Sequence, residues 1–194
     1  MTDEIPDSHS PTLVALIEES TRAHGFTMAS DSQTGSLLRT LAVSKPGGVF
    51  LELGTGTGLS AAWILSGMDA SATLLTVDND PAVVKIAEEF LGHDTRLSFH
   101  IGDGGAFISE LRGRQFDFVF ADAWPGKYTH LNETLTLVKP GGFYIVDDML
   151  PQPNWPADHP PKVATLIDTL VGRDELHVTK LSWSSGIILC TKRS

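Results

Sequence analysis

The stretch Leu51-Glu52-Leu53-Gly54-Thr55-Gly56-Thr57-Gly58-Leu59-Ser60 decides how the rest of the chain is read. Its lead-in, Val49-Phe50-Leu51 with Leu53, has the length and composition of a buried strand. Glycines then fall at alternate positions, Gly54, Gly56 and Gly58, and Ser60 opens a helical pattern running to about Met68. Glycine permits positive φ and lets a ligand approach the backbone closely. A helix that begins just past the turn directs free N–H groups and partial positive charge at whatever lies there. The stretch predicts a strand–turn–helix ligand site.

The spacing narrows the ligand. A dinucleotide-binding turn has the form GxGxxG. With Gly54 and Gly56 as its first two glycines, the third would fall at Leu59, so here the glycine comes one residue early. Glu52 puts a carboxylate at the strand end, which repels a phosphate and attracts an ammonium or sulfonium. Glu52 followed by three alternating glycines resembles the S-adenosylmethionine (SAM) signature of class I methyltransferases.

A chain of 194 residues predicts one domain spanning 1–194, large enough to bury a substantial core. The composition, 41% hydrophobic and 20% charged, is that of a globular protein. The chain has no apolar run of membrane-spanning length and no signal-peptide pattern, so the expectation is a cytoplasmic protein with no membrane partner. Its one cysteine, Cys190, sits in an apolar run and reads as core packing. A net charge of −10 without a basic run disfavours a nucleic-acid partner and favours a small molecule.

Residues 1–10 are polar and expected to be disordered, and 11–45 to form N-terminal helices. Pro11–His24 reads as an amphipathic helix capped by Ser10 and stopped by Gly25; Ser32–Val43 reads as a second, ended by Lys45-Pro46-Gly47-Gly48. Beyond the glycine turn, predicted strands at Thr73–Val77, Leu97–Ile101, Phe116–Ala121 and Phe143–Val146 alternate with helices at Pro81–Leu91, around Ala106–Leu111 and near Leu131–Val138. Asp80 is a candidate cap, and Lys139-Pro140-Gly141-Gly142 a turn. Such alternation implies a parallel sheet with helices on both faces. Leu176–Ser182 and Ile187–Thr191, joined by a short Ser-Ser-Gly turn, predict a closing antiparallel hairpin. The expected fold is α/β and Rossmann-like: a mostly parallel seven-stranded sheet with a C-terminal antiparallel hairpin, as in class I methyltransferases. The loop Met149–Pro161 carries Pro151, Pro153, Pro156, Pro160 and Pro161 with Trp155 and His159, and reads as a wall over the site or as a plain connector.

Asp78 ends the strand after the glycine turn, where a carboxylate can accept both ribose hydroxyls; Asn79 follows at the rim. Asp103, before Gly104, ends the next strand, where an adenine edge would lie, and helix capping explains it nearly as well. Asp122, Asp147 and Asp148 end two strands that neighbour each other in sheets of this type. Like charges held so close call for a cation, and oxygen ligands suit a hard divalent ion. The alternative is that Asp122 faces the sulfonium while Asp147 and Asp148 cap the next segment. The histidines show no zinc-ligand spacing.

From Phe26 to its end the chain resembles the catechol O-methyltransferase type of small SAM-dependent O-methyltransferase. The resemblance rests on Met28, Gly35, LELGTGTGLS, TVDND, FADAWPGKY at Phe120–Tyr128, VKPGG at Val138–Gly142 and VDDML at Val146–Leu150. It implies SAM against the Gly54–Ser60 turn with Ser60 near the methionine carboxylate, the ribose on Asp78, and Trp124 beside the adenine. It further implies magnesium, or calcium or manganese, on Asp122, Asp147 and Asp148, holding two vicinal acceptor oxygens, and a possible homodimer. The expected cofactor-binding set is Met28, Glu52, Gly54, Gly56, Gly58, Ser60, Asp78, Asn79, Asp103, Gly104, Asp122 and Trp124.

Three departures bear on mechanism. Asp148 stands where the family has asparagine, and Pro125 where it has its proton-accepting lysine; its acidic acceptor-gripping residue has no counterpart. Asp122 and Lys127 form the expected catalytic pair, the metal supplying most of the acidification and Lys127 steadying the developing oxyanion; Lys127 reads equally as a solvated surface lysine, and His130 stands second as a base. The expected function is methyl transfer from SAM to a phenol- or catechol-like hydroxyl. Its alternatives are a metal-independent N- or C-methyltransferase and a SAM-binding module without turnover. An NAD-dependent dehydrogenase is opposed by the early third glycine and the hairpin.

Overall fold

The computed structural model describes residues 11–152 and 155–194. Two helices, α1 (Thr12–Ala23) and α2 (Ser32–Val43), precede β1 (Val49–Leu53). There follow α3 (Leu59–Gly67), β2 (Thr73–Asp78), α4 (Pro81–Leu91), β3 (Leu97–Ile101), α5 (Gly104–Glu110) and β4 (Phe116–Ala121). A single turn, α6 (Trp124–Lys127), leads to α7 (Leu131–Leu137), β5 (Val138–Val146), α8 (His159–Val171), β6 (Leu176–Leu181) and β7 (Ile187–Lys192). The seven strands form one sheet in the order β3-β2-β1-β4-β5-β7-β6. The five strands from β3 to β5 are parallel, and β7 runs antiparallel to both β5 and β6.

Alternation along the strands builds two cores. Leu51, Val119 and Val146 face Phe107, Leu135 and Leu166 of α5, α7 and α8. Phe50, Phe118 and Ile145 face Ile17, Leu38 and Ile64 of α1, α2 and α3. Cys190 is fully buried in the first core, and burial pushes its thiol up to about 12. Among the described residues no helix is long and apolar enough to cross a membrane.

Three features depart from the expectations. Lys139-Pro140-Gly141-Gly142 is an excursion inside β5 rather than a turn before it: Val138 pairs with Phe116 ahead of it and Phe143 with Phe118 after it. Gly141 has φ 75°, and Lys139 holds Asp117 of β4 at 2.7 Å across the irregularity. The proline-rich segment ends at His159, where α8 begins, because Pro160 and Pro161 occupy its first turn. Proline costs no hydrogen bond there. Val163, Leu166 and Leu170 then bury one face of α8 at helical spacing. Lastly, β6 stops at Leu181, one residue short of the predicted Ser182. Ser10, Pro153 and residues 1–10 as a whole lie outside the described residues.

The strand order reverses at β1, which lies between β2 and β4. Ligands of open α/β sheets bind beyond the carboxyl ends of strands at such a switch point. The Asp122 N–H donates to the Leu53 carbonyl at 2.8 Å, so the ends of β1 and β4 leave the sheet together.

Candidate active site

The glycine turn opens at this switch point. Gly54 has φ 108°, and a Cβ there would fall 2.7 Å from the Asp122 carbonyl oxygen, so only glycine lets the two strand ends approach. Gly58 precedes α3 at φ 89°, where a Cβ would meet that of Ala87 at 2.8 Å. Gly56 donates its N–H to Asp78 Oδ2 at 2.8 Å, while Asp78 Oδ1 accepts from the Asp80 N–H at 3.0 Å. The α4 cap is Asp80, which accepts from Ala82 N at 2.8 Å, so Asp78 is not needed for that purpose.

Glu52 is fully buried beneath the turn and does not line the cleft above it. Its Oε2 accepts from Thr76 Oγ1 at 2.6 Å, and Thr76 is joined to Thr55 at 2.6 Å. Burial lifts its carboxyl to about 7, against the pull of the Ser60 and Thr76 hydroxyls.

The cleft has a volume of about 770 Å³. Its lining includes Met28, Gly54, Gly56, Ser60, Asp78 and Asn79, together with a charged and aromatic group of Asp122, Trp124, Lys127, Tyr128, Asp147, Asp148, Trp155 and His159. Gly58, Asp103 and Gly104 join Glu52 outside its lining. Asp103 caps α5, accepting from Ala106 N at 2.7 Å, which is the capping alternative weighed above. Gly104 lies against Pro125, where a Cβ would come within 3.2 Å of the ring. His130, the second candidate base, is also away from the cleft, its ring pressed on Gly105.

The charged end is organised by Lys127. Its ammonium donates to Asp122 Oδ1 at 3.1 Å, and the two side chains are only 5% and 13% exposed. It is therefore no solvated surface lysine. Gly126, at φ 94°, and Pro125, at ψ 130°, break the turn and carry the chain inward, and the Tyr144 hydroxyl holds the Gly126 carbonyl. Burial works against the charge on Lys127, but Asp122, Asp147 and Asp148 outweigh it and raise its pKa. Burial pushes Asp122 up to about 6 and Asp147 up to about 8, their mutual repulsion adding to the latter. Asp148 sits at φ 58°, a conformation aspartate tolerates better than most residues.

These carboxylates do not fit the divalent ion that the resemblance implies. Asp122 Oδ1 is taken by Lys127 and Oδ2 by the Ser30 hydroxyl at 3.3 Å. Asp147 Oδ1 accepts from the Ser185 hydroxyl and from the Asp148 N–H at 2.8 Å. Among the described residues no three acidic, histidine or cysteine side chains are gathered as a cation site. The cation that these aspartates act on is Lys127.

An aromatic wall flanks this end. Trp124 meets Tyr128 edge-on at 5.7 Å, Trp155 lies 4.4 Å from His159, and Lys162 sits 4.4 Å over Trp124. The Tyr128 hydroxyl and His159 Nε2 are 3.1 Å apart. Sequence reasoning assigned no role to Ser30, Ser185 or Tyr128, and saw His159 only as part of a wall. The available signals were slight: Tyr128 ends the FADAWPGKY motif, and Ser185 sits in the hairpin turn.

The sheet order, with a glycine turn and Asp78 at its switch point, defines the Rossmann-like fold of class I SAM-dependent methyltransferases. Residues 3–193 match the model of the family described as O-methyltransferase, and the chain belongs to that family. A Mycolicibacterium vanbaalenii protein carrying an O-methyltransferase name is 32% identical over 117 residues, 58% of this chain and 52% of the relative. This chain thus matches about half the length of that relative. Among solved structures, the O-methyltransferase TomG of Streptomyces achromogenes, in complex with SAM, superposes with TM-score 0.83 at 22% identity, covering 95% of this chain and 91% of that one. An O-methyltransferase of Bacillus cereus in complex with SAH gives TM-score 0.83 at 19% identity, covering 97% and 93%. At these identities the likeness is one of fold.

Proposed function

We propose that this protein transfers the methyl group of SAM to a hydroxyl oxygen of a small phenolic molecule, with Lys127 rather than a divalent ion as the resident cation. The observation that carries this reading is the continuity of the cleft, in which the glycine turn and Asp78 share one cavity with Asp122 and Lys127.

SAM, when bound, supplies an electrophilic methyl group on a positively charged sulfur. In this reading the Asp78 carboxylate, already oriented by two backbone N–H groups, accepts the ribose hydroxyls. Ser60 and the start of α3 receive the methionine carboxylate, favoured by the positive end of the helix. Asp122 faces the sulfonium while paired with Lys127. The wall of Tyr128 and Trp155 holds a flat aromatic acceptor with its oxygen toward Lys127. A phenol ionises near pH 10, as tyrosine does, and a buried ammonium nearby favours the phenolate. Positioning supplies most of the remaining acceleration, since oxygen, methyl and sulfur must lie in line.

Titration calorimetry tests the cofactor half of this reading. SAM is expected to give a saturable isotherm and NAD no heat; binding of NAD in place of SAM would overturn it.

A further inference from the structure

The proposed function leaves one proton unaccounted for: that of the acceptor hydroxyl. Pro125 offers no base. Lys127 is held in its charged form by Asp122, Asp147 and Asp148, so it attracts an oxyanion but takes up no proton. Asp122 is committed to Lys127 and Ser30. His130 lies away from the cleft. Asp147 accepts from the Ser185 hydroxyl and the Asp148 N–H. The cleft wall beside Lys127 also carries a hydrogen-bonded pair, Tyr128 and His159.

Building on the methyl-transfer reading, we infer that Tyr128 and His159 form the proton path, with Tyr128 as relay and His159 as terminal base. The two are joined at 3.1 Å between the phenolic oxygen and Nε2, across 31 residues of sequence. Both line the cleft that contains Asp122 and Lys127. The imidazole is fixed from three sides: Trp155 at 4.4 Å, Tyr128 edge-on at 5.2 Å and Trp124 at 6.1 Å between ring centres. Only 7% of His159 is exposed. With the Tyr128 hydroxyl donating to Nε2, the phenolic oxygen keeps a lone pair for the acceptor's O–H.

The groups facing His159 favour the form this path needs. Burial and the positive charges of Lys127 and Lys162 hold its pKa below the usual histidine range, against the weaker pull of Asp148 and Asp158. These surroundings favour the neutral imidazole, which is free to accept. Burial raises the Tyr128 pKa, so the phenol passes a proton on without resting as phenolate. In the step itself the acceptor oxygen forms a bond to the methyl carbon, and the carbon–sulfur bond breaks with its electron pair going to sulfur. The hydroxyl proton moves to the Tyr128 oxygen as the Tyr128 proton moves to His159 Nε2, and the imidazolium later releases it to water.

The test is a pH–rate profile with SAM and a panel of simple phenols that includes catechol, for the parent, Tyr128→Phe, His159→Gln and His159→Ala. Expected are a fall in kcat of at least about 10²-fold in each variant, the typical contribution of a positioned base. SAM affinity should be unchanged by calorimetry, the acidic limb of the profile should vanish in His159→Gln, and added imidazole should restore turnover to His159→Ala. Tyr128→Phe keeps the ring and its packing, so it reports on the hydroxyl even where a histidine variant folds poorly. Undiminished turnover, or a loss with the acidic limb intact and no imidazole rescue, would overturn the path while leaving the proposed function standing. A parent that binds SAM and methylates no phenol overturns the function itself, and the path with it.

Discussion

Replacing Glu52 by glutamine tests whether the carboxylate under the glycine turn is held neutral. Glu52 is fully buried, and burial raises its pKa from the ordinary 4.5 to about 7. At about 1.4 kcal/mol for each tenfold change in proton affinity, this corresponds to about 3 kcal/mol. The folded protein holds this proton more tightly than the unfolded chain. Its contribution to stability is therefore complete below pH 4.5 and is lost as the pH rises to 7. Glutamine is close in shape, still accepts from Thr76 and never ionises. Glu52→Gln should match the parent's stability at pH 4.5 and exceed it at pH 8 by about 3 kcal/mol, the difference growing between them. Urea denaturation of both proteins across this range reads the difference directly, and the other titrating groups cancel in the comparison. A difference that stays flat with pH would show that Glu52 is ionised throughout and that the account of this layer is wrong.

Lys127→Met removes the partner of a buried Asp122 and should cost roughly 3–5 kcal/mol at pH 8. The loss should shrink at pH 5, where Asp122 protonates, and turnover should fall at least about tenfold with SAM affinity retained; denaturation at both pH values and kinetics check this. Asp78→Ala should weaken SAM binding by roughly 1.5–3 kcal/mol for each charge-assisted hydrogen bond lost, as read by calorimetry. Gly58→Ala places a Cβ 2.8 Å from that of Ala87 at φ 89°, and thermal or urea unfolding should show a loss of roughly 2–4 kcal/mol from backbone strain and overpacking together.

Much of the frame was legible because it is written locally. Val49–Leu53, the alternating glycines and Ser60 specify strand, turn and helix within a dozen residues, and Asp80 in the capping position leaves Asp78 for another use. The closing hairpin is legible because a Ser-Ser-Gly link is too short for any other connection. What escaped depends on contacts between distant segments. Lys139–Gly142 looks like a turn, and only the partner residues Phe116 and Phe118 reveal that the strand continues through it. The start of α8 hides behind Pro160 and Pro161, which read as loop until the apolar spacing of Val163, Leu166 and Leu170 is weighed. The sequence already put Lys127 near the aspartates, but the backbone break at Pro125 and Gly126 that turns it inward shows only in the fold. The Tyr128–His159 contact joins the end of α6 to the start of α8, with no common pattern between them.

The central claim is that Lys127 and the glycine-turn cleft suffice for methyl transfer from SAM to oxygen. The most direct measurement is transfer of an isotopically labelled methyl group from SAM to phenols, with product analysis, run in parallel with EDTA and with added magnesium. The account predicts a labelled O-methyl product formed at the same rate in both. Transfer that stops in EDTA and returns with magnesium, or label found on nitrogen or carbon, would contradict it.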